Sequence, residues 1–138
     1  PELVRAFRAM GGRGPVRASR MVYVGVDDRS ARRTIEPAAR YFWAHFTPPS
    51  PGWRQAMTLA GPPRDLDDIC ARLGWVVGGP ASVAARLTEY VVSCDLDGLD
   101  LSFHVPGLDA AAADRAMELF AAEVRPDISD RLAHRPVA

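Results

Sequence analysis

The spacing of apolar residues changes twice within residues 73–105, and it predicts a strand, a helix and a second strand. Residues 75–77 form a short apolar run, and the glycine pair and proline at residues 78–80 suit a turn that opens a helix. Apolar residues then recur at helical spacing over residues 83–91, and over residues 99–104 they alternate with polar residues. Because a parallel crossover needs a helix of about this length, we predict a parallel βαβ unit.

The rest of the chain continues this alternation of strands and helices. β-Branched and aromatic residues predict a strand that ends at Asp27-Asp28, in which Tyr23 faces the opposite side from Val22 and Val24. Asp28 or Ser30 should be the N-cap of the amphipathic helix after it, and this helix should be kinked or divided at Pro37.

A short helix should follow its N-cap Asp65, run to Leu73 and end at Gly74. A last helix should start near Asp109 and end at Arg125-Pro126. Its predicted buried stripe is Ala113, Met117, Phe120, Ala121 and Val124. The predicted single domain has these parts: 1–10, the end of a helix; 16–46, a βα unit; 47–74, an insertion loop and a short helix; 75–92 and 98–126, two further βα units; 127–138, a tail.

Three segments carry a resemblance to a known family: GGPASVAARLTEY from residue 78, DGLDLSFHVPGLDAA from residue 97 and FAAEVRPDI from residue 120. They resemble the C-terminal signature of the bacterial luciferase-like flavin-dependent oxidoreductases and monooxygenases. The segment VYVGVDDRSARR from residue 22 also resembles the sixth strand of that family and the start of its following helix. The match lies mainly in the last two βα units, and no single catalytic motif is present.

The resemblance implies an α/β fold, namely the C-terminal part, about strands 6–8 with their helices, of a (β/α)₈ TIM barrel. Such a barrel needs about 250 residues, and this sequence has 138. The family's contacts to the isoalloxazine ring come mostly from the first five strands, so this chain alone is not expected to be active. Three expectations stay open: a missing N-terminal half, pairing with another copy or a second subunit, or a smaller rearranged α/β fold.

The implied function is that of the C-terminal portion of a flavin-dependent oxidoreductase or monooxygenase that acts on a small organic substrate. The implied cofactor is FMN or the deazaflavin coenzyme F420. The alternative is a non-catalytic half-barrel that serves as an interaction or assembly subunit.

Charge and composition exclude several other functions. Seventeen arginines balance seventeen acidic residues, which argues against a nucleic-acid partner bound through charge. The chain has no lysine, so Schiff-base chemistry and a P-loop are excluded. No apolar run approaches the ~20 residues of a membrane span. Cys70 and Cys94 are isolated, without metal-ligand spacing, and are predicted to be reduced thiols of a cytoplasmic protein.

Candidate site residues lie where strands end, because barrel enzymes place their active sites at the carboxyl ends of the strands. His104 and Ser102 are the catalytic candidates, since imidazole exchanges protons near neutral pH and polar groups on a buried strand need partners. Gly78 and Gly79 are candidates for binding the cofactor phosphate at a helix N-terminus, and Tyr23 for lining the pocket. Each has a structural alternative: a barrel-interior histidine satisfied by a carboxylate, glycines that only make the turn, and a tyrosine that fills the core.

Overall fold

The structure is a computed structural model that describes residues 2–46 and 61–134. Its elements alternate between helices and strands, as the sequence pattern predicts. In chain order they are α1 (Glu2–Ala9), β1 (Arg17–Val24), α2 (Asp28–Phe46), α3 (Leu66–Leu73), β2 (Val76–Gly78), α4 (Pro80–Cys94), β3 (Gly98–Ser102), α5 (Ala110–Leu119), a π-helical turn (Phe120–Val124) and α6 (Arg125–Ala133). Residues 47–60, which belong to the predicted insertion loop, lie outside the described part. Residues 135–138 of the predicted tail also lie outside it.

The three strands form one parallel sheet in the order β2–β1–β3. Val22 of β1 lies opposite Val76 of β2, and Ser19 of β1 lies opposite Asp100 of β3. The predicted α/β class and the parallel orientation are therefore confirmed. The predicted βαβ unit also exists as β2–α4–β3, but α4 carries the chain across β1 instead of to a neighbouring strand.

Both faces of the sheet are covered by helices, and each face has its own apolar core. Met21 and Tyr23 of β1 point to one side and pack against α2, α3 and α5, whereas Val22 and Val24 point to the other and pack against α4 and Val124. Alternate residues of a strand face opposite sides, so β1 contributes to both cores. The molecule thus has three layers, with the sheet in the middle.

This arrangement differs from the predicted arc of a TIM barrel. In a barrel, consecutive strands are neighbours and the inner face is filled by strand side chains, with helices outside only. Here β1 separates β2 from β3, and helices lie on both faces. The physical reason is that the inward face of an isolated three-strand arc would expose apolar residues such as Tyr23, and α5 with the start of α2 buries them instead.

Helix α2 lies very close to the end of β1. A Cβ atom built on Gly25 would be 2.7 Å from the backbone nitrogen of Ala31, closer than real Cβ contacts come. Glycine is therefore required there by the approach of two backbones. The helix continues through Pro37 as a single element of 19 residues, so the predicted division into two pieces is wrong. Pro37 is exposed, which lets water reach the carbonyl group that lacks its helical partner.

The C-terminal helical region is longer than predicted. Pro126 was expected to end it, but the π-helical turn precedes this proline and α6 runs on to Ala133. Proline is tolerated in the first turn of a helix, where its missing N–H is not needed. The predicted buried stripe is correct at Ala113 and Val124 and wrong at Met117, which is 44% exposed, and at Ala121, which is also exposed. Residues 129–133 are therefore helical and not part of a loose tail.

Candidate functional site

The carboxyl ends of β1 and β2 meet at one edge of the sheet and form the candidate site. Val24 is the partner of Gly78 in the sheet register, and the Gly25 N–H donates to the Gly78 carbonyl oxygen at 3.0 Å. After this point the chain enters α2 on one side of the sheet and α4 on the other. Two helix N-termini are thereby brought to the ends of two neighbouring strands.

Asp28 connects these two helix N-termini. Its Oδ1 accepts a hydrogen bond of 2.7 Å from the Gly79 N–H, and its Oδ2 accepts one of 2.9 Å from the Ser82 hydroxyl. Gly79 is the N-cap residue of α4, and as a glycine it has no side chain that could accept the N–H groups in the first turn of this helix. Asp28, which follows β1 and lies in the first turn of α2, therefore accepts the N–H at the start of α4 from outside that helix. We call Asp28, Gly79 and Ser82 the Asp28 clamp.

The clamp keeps Asp28 ionised. The Gly79 N–H lowers the pKa of the Asp28 carboxyl, and the Ser82 hydroxyl and the positive charge of Arg86 act in the same direction. Both helix dipoles also favour a negative charge at this point. Asp27 plays a more local part, because its Oδ1 accepts the Ser30 N–H at 2.6 Å and so caps the first turn of α2.

The glycine pair fits this close approach. A Cβ atom on Gly78 would lie 2.8 Å from Asp28 Oδ1, and one on Gly79 would lie 3.1 Å from the Cα of Asp27. Both glycines are buried. Their small size therefore serves the contact between the two strand ends, which corresponds to the structural alternative for this pair.

His104 and Ser102 lie at a different part of the edge from Gly78 and Gly79. Both residues are exposed, and the Ser102 hydroxyl donates to the backbone carbonyl of His104 at 3.3 Å. Asp100, two residues earlier on β3, pairs with Arg17 at 2.7 Å. Since β1 lies between β2 and β3, the structure brings His104 and Ser102 together but separates them from the glycine pair.

Tyr23 is part of the core. Its side chain is 6% exposed and belongs to the cluster formed with α2, α3 and α5. The prediction that it lines a pocket assumed an inner barrel face, and in this sheet that face is covered by helices. Tyr23 therefore fills the core. The prediction that its side chain faces the opposite side of β1 from Val22 and Val24 is confirmed.

The Asp28 clamp does not fit a cofactor phosphate at the glycine turn. A phosphate bound there would need the N–H groups at the start of α4, and the Gly79 N–H is donated to Asp28. The carboxylates of Asp27 and Asp28 would also repel it. With the clamp formed, neither FMN nor F420 can place its phosphate on Gly79.

Sequence reasoning missed the role of Asp28, which it could only suggest as an N-cap of α2. Its partners are 51 and 54 residues away in the chain. The available signal was the pair of acids after one strand and the glycine pair after the next, since parallel neighbours end at the same edge.

The free thiols follow the prediction more closely: Cys94 is buried, and burial raises the pKa of the Cys70 thiol to about 11, which keeps it protonated.

Among residues 2–46 and 61–134, no three or more histidine, cysteine or acidic side chains are grouped in a way that could hold a metal ion. Within the same residues, none of the helices combines the length and the apolar character needed to cross a membrane. In the comparisons with known proteins, no family model and no curated protein matches the chain.

Proposed function

We propose that this chain is the C-terminal portion of a luciferase-like flavin-dependent oxidoreductase or monooxygenase that acts on a small organic substrate, with FMN or F420 as its cofactor. The proposal rests on the resemblance of three segments to that family. The observation that supports it best is the pairing of β1 with β2: they are parallel neighbours, each followed by a helix, as consecutive barrel strands are.

The barrel itself is part of this proposal. In a complete barrel β2 would lie between β1 and β3, so β3 would exchange its present pairing with β1 for pairing with β2. The β1–β2 pairing and the Asp28 clamp can persist through that exchange, because neither involves β3. The residues that contact the flavin ring would then come from strands outside this chain.

Within this proposal His104 is the residue with catalytic chemistry. It is exposed at the end of β3, and its imidazole can transfer a proton to or from a substrate or hold a substrate anion. Ser102 bonds to the backbone of His104 and holds the strand end in shape, which makes it a positioning residue. The cofactor phosphate would bind away from Gly79, because Asp28 occupies its N–H.

A fluorescence titration of the full natural chain with FMN and with F420 tests the proposal. We expect saturable binding of one of them. We also expect that His104→Ala lowers turnover at least tenfold. Its affinity for the flavin should stay within twofold of the wild type, and its thermal midpoint within about 2 °C. His134→Ala is the matched control, since His134 is also exposed but lies at the end of α6. Failure of the full chain to bind either flavin would refute the proposal.

A non-catalytic interaction or assembly subunit is the second candidate. The observation that favours it is that β2 and β3 each pair only with β1 in the described part, so the sheet has two unpaired outer edges. Unpaired edges invite pairing with another chain. A mass measured by light scattering that rises with concentration, together with no flavin binding, would favour this candidate over the first.

A further inference from the structure

A second region, at the opposite end of the β1–β2 pair from the Asp28 clamp, has the features of a binding site. An open cleft of about 370 Å³ lies between α3 and α4, beside the start of β2. Its wall includes Trp75 and Cys70 as apolar groups, and Arg20 and Arg86 as two positive charges. We call it the Arg20–Arg86 pocket. Its volume is within the range of small-molecule sites.

Arg20 is held in place by neutral groups. Its guanidinium carbon lies 4.1 Å from the centre of the Tyr90 ring, and its Nη2 donates to the Tyr90 hydroxyl. Its Nη1 donates to the backbone carbonyl of Ser19 at 2.7 Å. On another side it lies against Gly74, where an added Cβ would be 3.5 Å from its Nε. The side chain is therefore positioned before any ligand binds, which reduces the entropy lost on binding.

Arg86 is likewise without an acidic partner among the described residues. Its Nη1 donates to the Val77 carbonyl at 3.1 Å, and no carboxylate lies within ion-pair distance. The described part of the chain contains fifteen arginines, and fewer than half of them form an ion pair with a carboxylate. Ion pairs with aspartate or glutamate are formed by seven others in the described part: Arg8, Arg17, Arg32, Arg40, Arg64, Arg72 and Arg131.

The helix α4 presents the polar side of the pocket on one face. Arg86, Glu89, Tyr90 and Ser93 all line the cavity, at the spacing of neighbours on a helix. Glu89 is the only carboxylate in the lining, and it forms no ion pair with either arginine. Two positive charges and one negative charge leave the pocket net positive.

We propose that the Arg20–Arg86 pocket binds a small organic oxyanion, a carboxylate or a phosphate ester, whose apolar part lies against Trp75. Guanidinium groups bind such oxyanions through paired, charge-assisted hydrogen bonds. The anion would supply a carboxylate or phosphate in direct contact with Arg20 and Arg86, whereas Asp28 and Asp67 act on Arg86 only from beyond ion-pair distance. This site does not rest on the proposed flavin function, because its lining includes neither the residues of the Asp28 clamp nor His104.

The test is a titration of the ¹⁵N-labelled chain with phenyl phosphate and, separately, with benzoate, followed by NMR. We expect saturable shifts of the Gly74, Val76 and Ser93 amides with at least one of the two anions, and none with benzyl alcohol, which has the ring but no charge. The anion that binds more tightly identifies the class of oxyanion. No saturable shift at these amides with either anion would overturn the proposal.

Substitutions then assign the binding to the two arginines. Arg20→Gln and Arg86→Gln should each weaken binding at least tenfold, and Arg115→Gln, an exposed arginine of α5, should leave it within twofold. Glu89→Gln should tighten binding about two- to fivefold, because it removes the only negative charge of the lining. If Arg20→Gln unfolds the chain, Arg86→Gln still decides, since Arg86 makes one hydrogen bond to the described residues, to the Val77 carbonyl, and no ion pair with them. Equal affinities in the wild type and Arg86→Gln would contradict the proposal.

Discussion

Replacing Leu87 by alanine is expected to lower the free energy of unfolding by about 2–5 kcal/mol. Leu87 is the central apolar residue of α4; it is 0% exposed and packs with Val22, Val24 and Val83 in the core on that side of the sheet. Truncation removes the burial of its side chain and leaves a cavity that the surrounding residues fill only in part. The effect is a large fraction of the roughly 5–15 kcal/mol by which a typical domain is stable. Urea denaturation at pH 7 measures it.

Leu3→Ala is the matched control for this substitution. Leu3 is also a helical leucine, but it is 87% exposed on α1, so its removal should change the free energy of unfolding by no more than about 0.5 kcal/mol. Similar losses in the two variants would mean that α4 does not cover this face of the sheet. The three-layer arrangement would then be wrong.

Replacing Asp28 by alanine is expected to destabilise the chain by about 1–2 kcal/mol at pH 7, the lower part of the range for bonds to a charged group, because solvent screens this exposed carboxylate. The substitution leaves the Gly79 N–H and the Ser82 hydroxyl without their acceptor. Asp114→Ala is the control, since Asp114 is exposed on α5 and makes no hydrogen bond or ion pair to the described residues. An unchanged midpoint of urea unfolding in Asp28→Ala would contradict the clamp.

Asp28 should also make the free energy of unfolding depend on pH. The pKa of Asp28 is lowered in the folded chain, so its contribution to stability is complete above the unfolded value of about 3.9 and is lost as the pH falls through the lower folded value. Other carboxyl groups follow the same course, among them Asp67 beside Arg32. The difference between the wild type and Asp28→Asn isolates the Asp28 part. It should be constant from pH 5 to 7 and shrink below pH 4.

How much of the fold could be predicted depends on the sequence distance of the interactions. Helix α3 was predicted to the residue, because its signals are local: Asp65 accepts the Asp68 N–H at 2.9 Å, and Gly74 ends the helix with a φ of 67°. The two faces of β1 could also be predicted from the sequence, because successive side chains of a strand point to opposite sides of the sheet.

The strand order could not be read in this way. The residues of β3 do not indicate whether this strand pairs with β1 or with β2. The order β1–β2–β3 was therefore taken from the family resemblance alone. The pairing found places Arg17 beside Asp100 and Arg8 beside Asp97, contacts across more than 80 residues. The same limit applied to the candidate site: the glycine pair was recognised, but its partner Asp28 begins α2, 51 residues away in the chain, and was assigned only to that helix.

The central claim is that β1 lies in the middle of the sheet, between β2 and β3. The most direct measurement is a set of interstrand nuclear Overhauser effects in the 138-residue chain, recorded between backbone protons. The account predicts cross-peaks that link Arg17–Met21 of β1 with Gly98–Ser102 of β3 in the register that pairs Ser19 with Asp100. Cross-peaks that link β3 to Val76–Gly78 of β2, with none to β1, would contradict it.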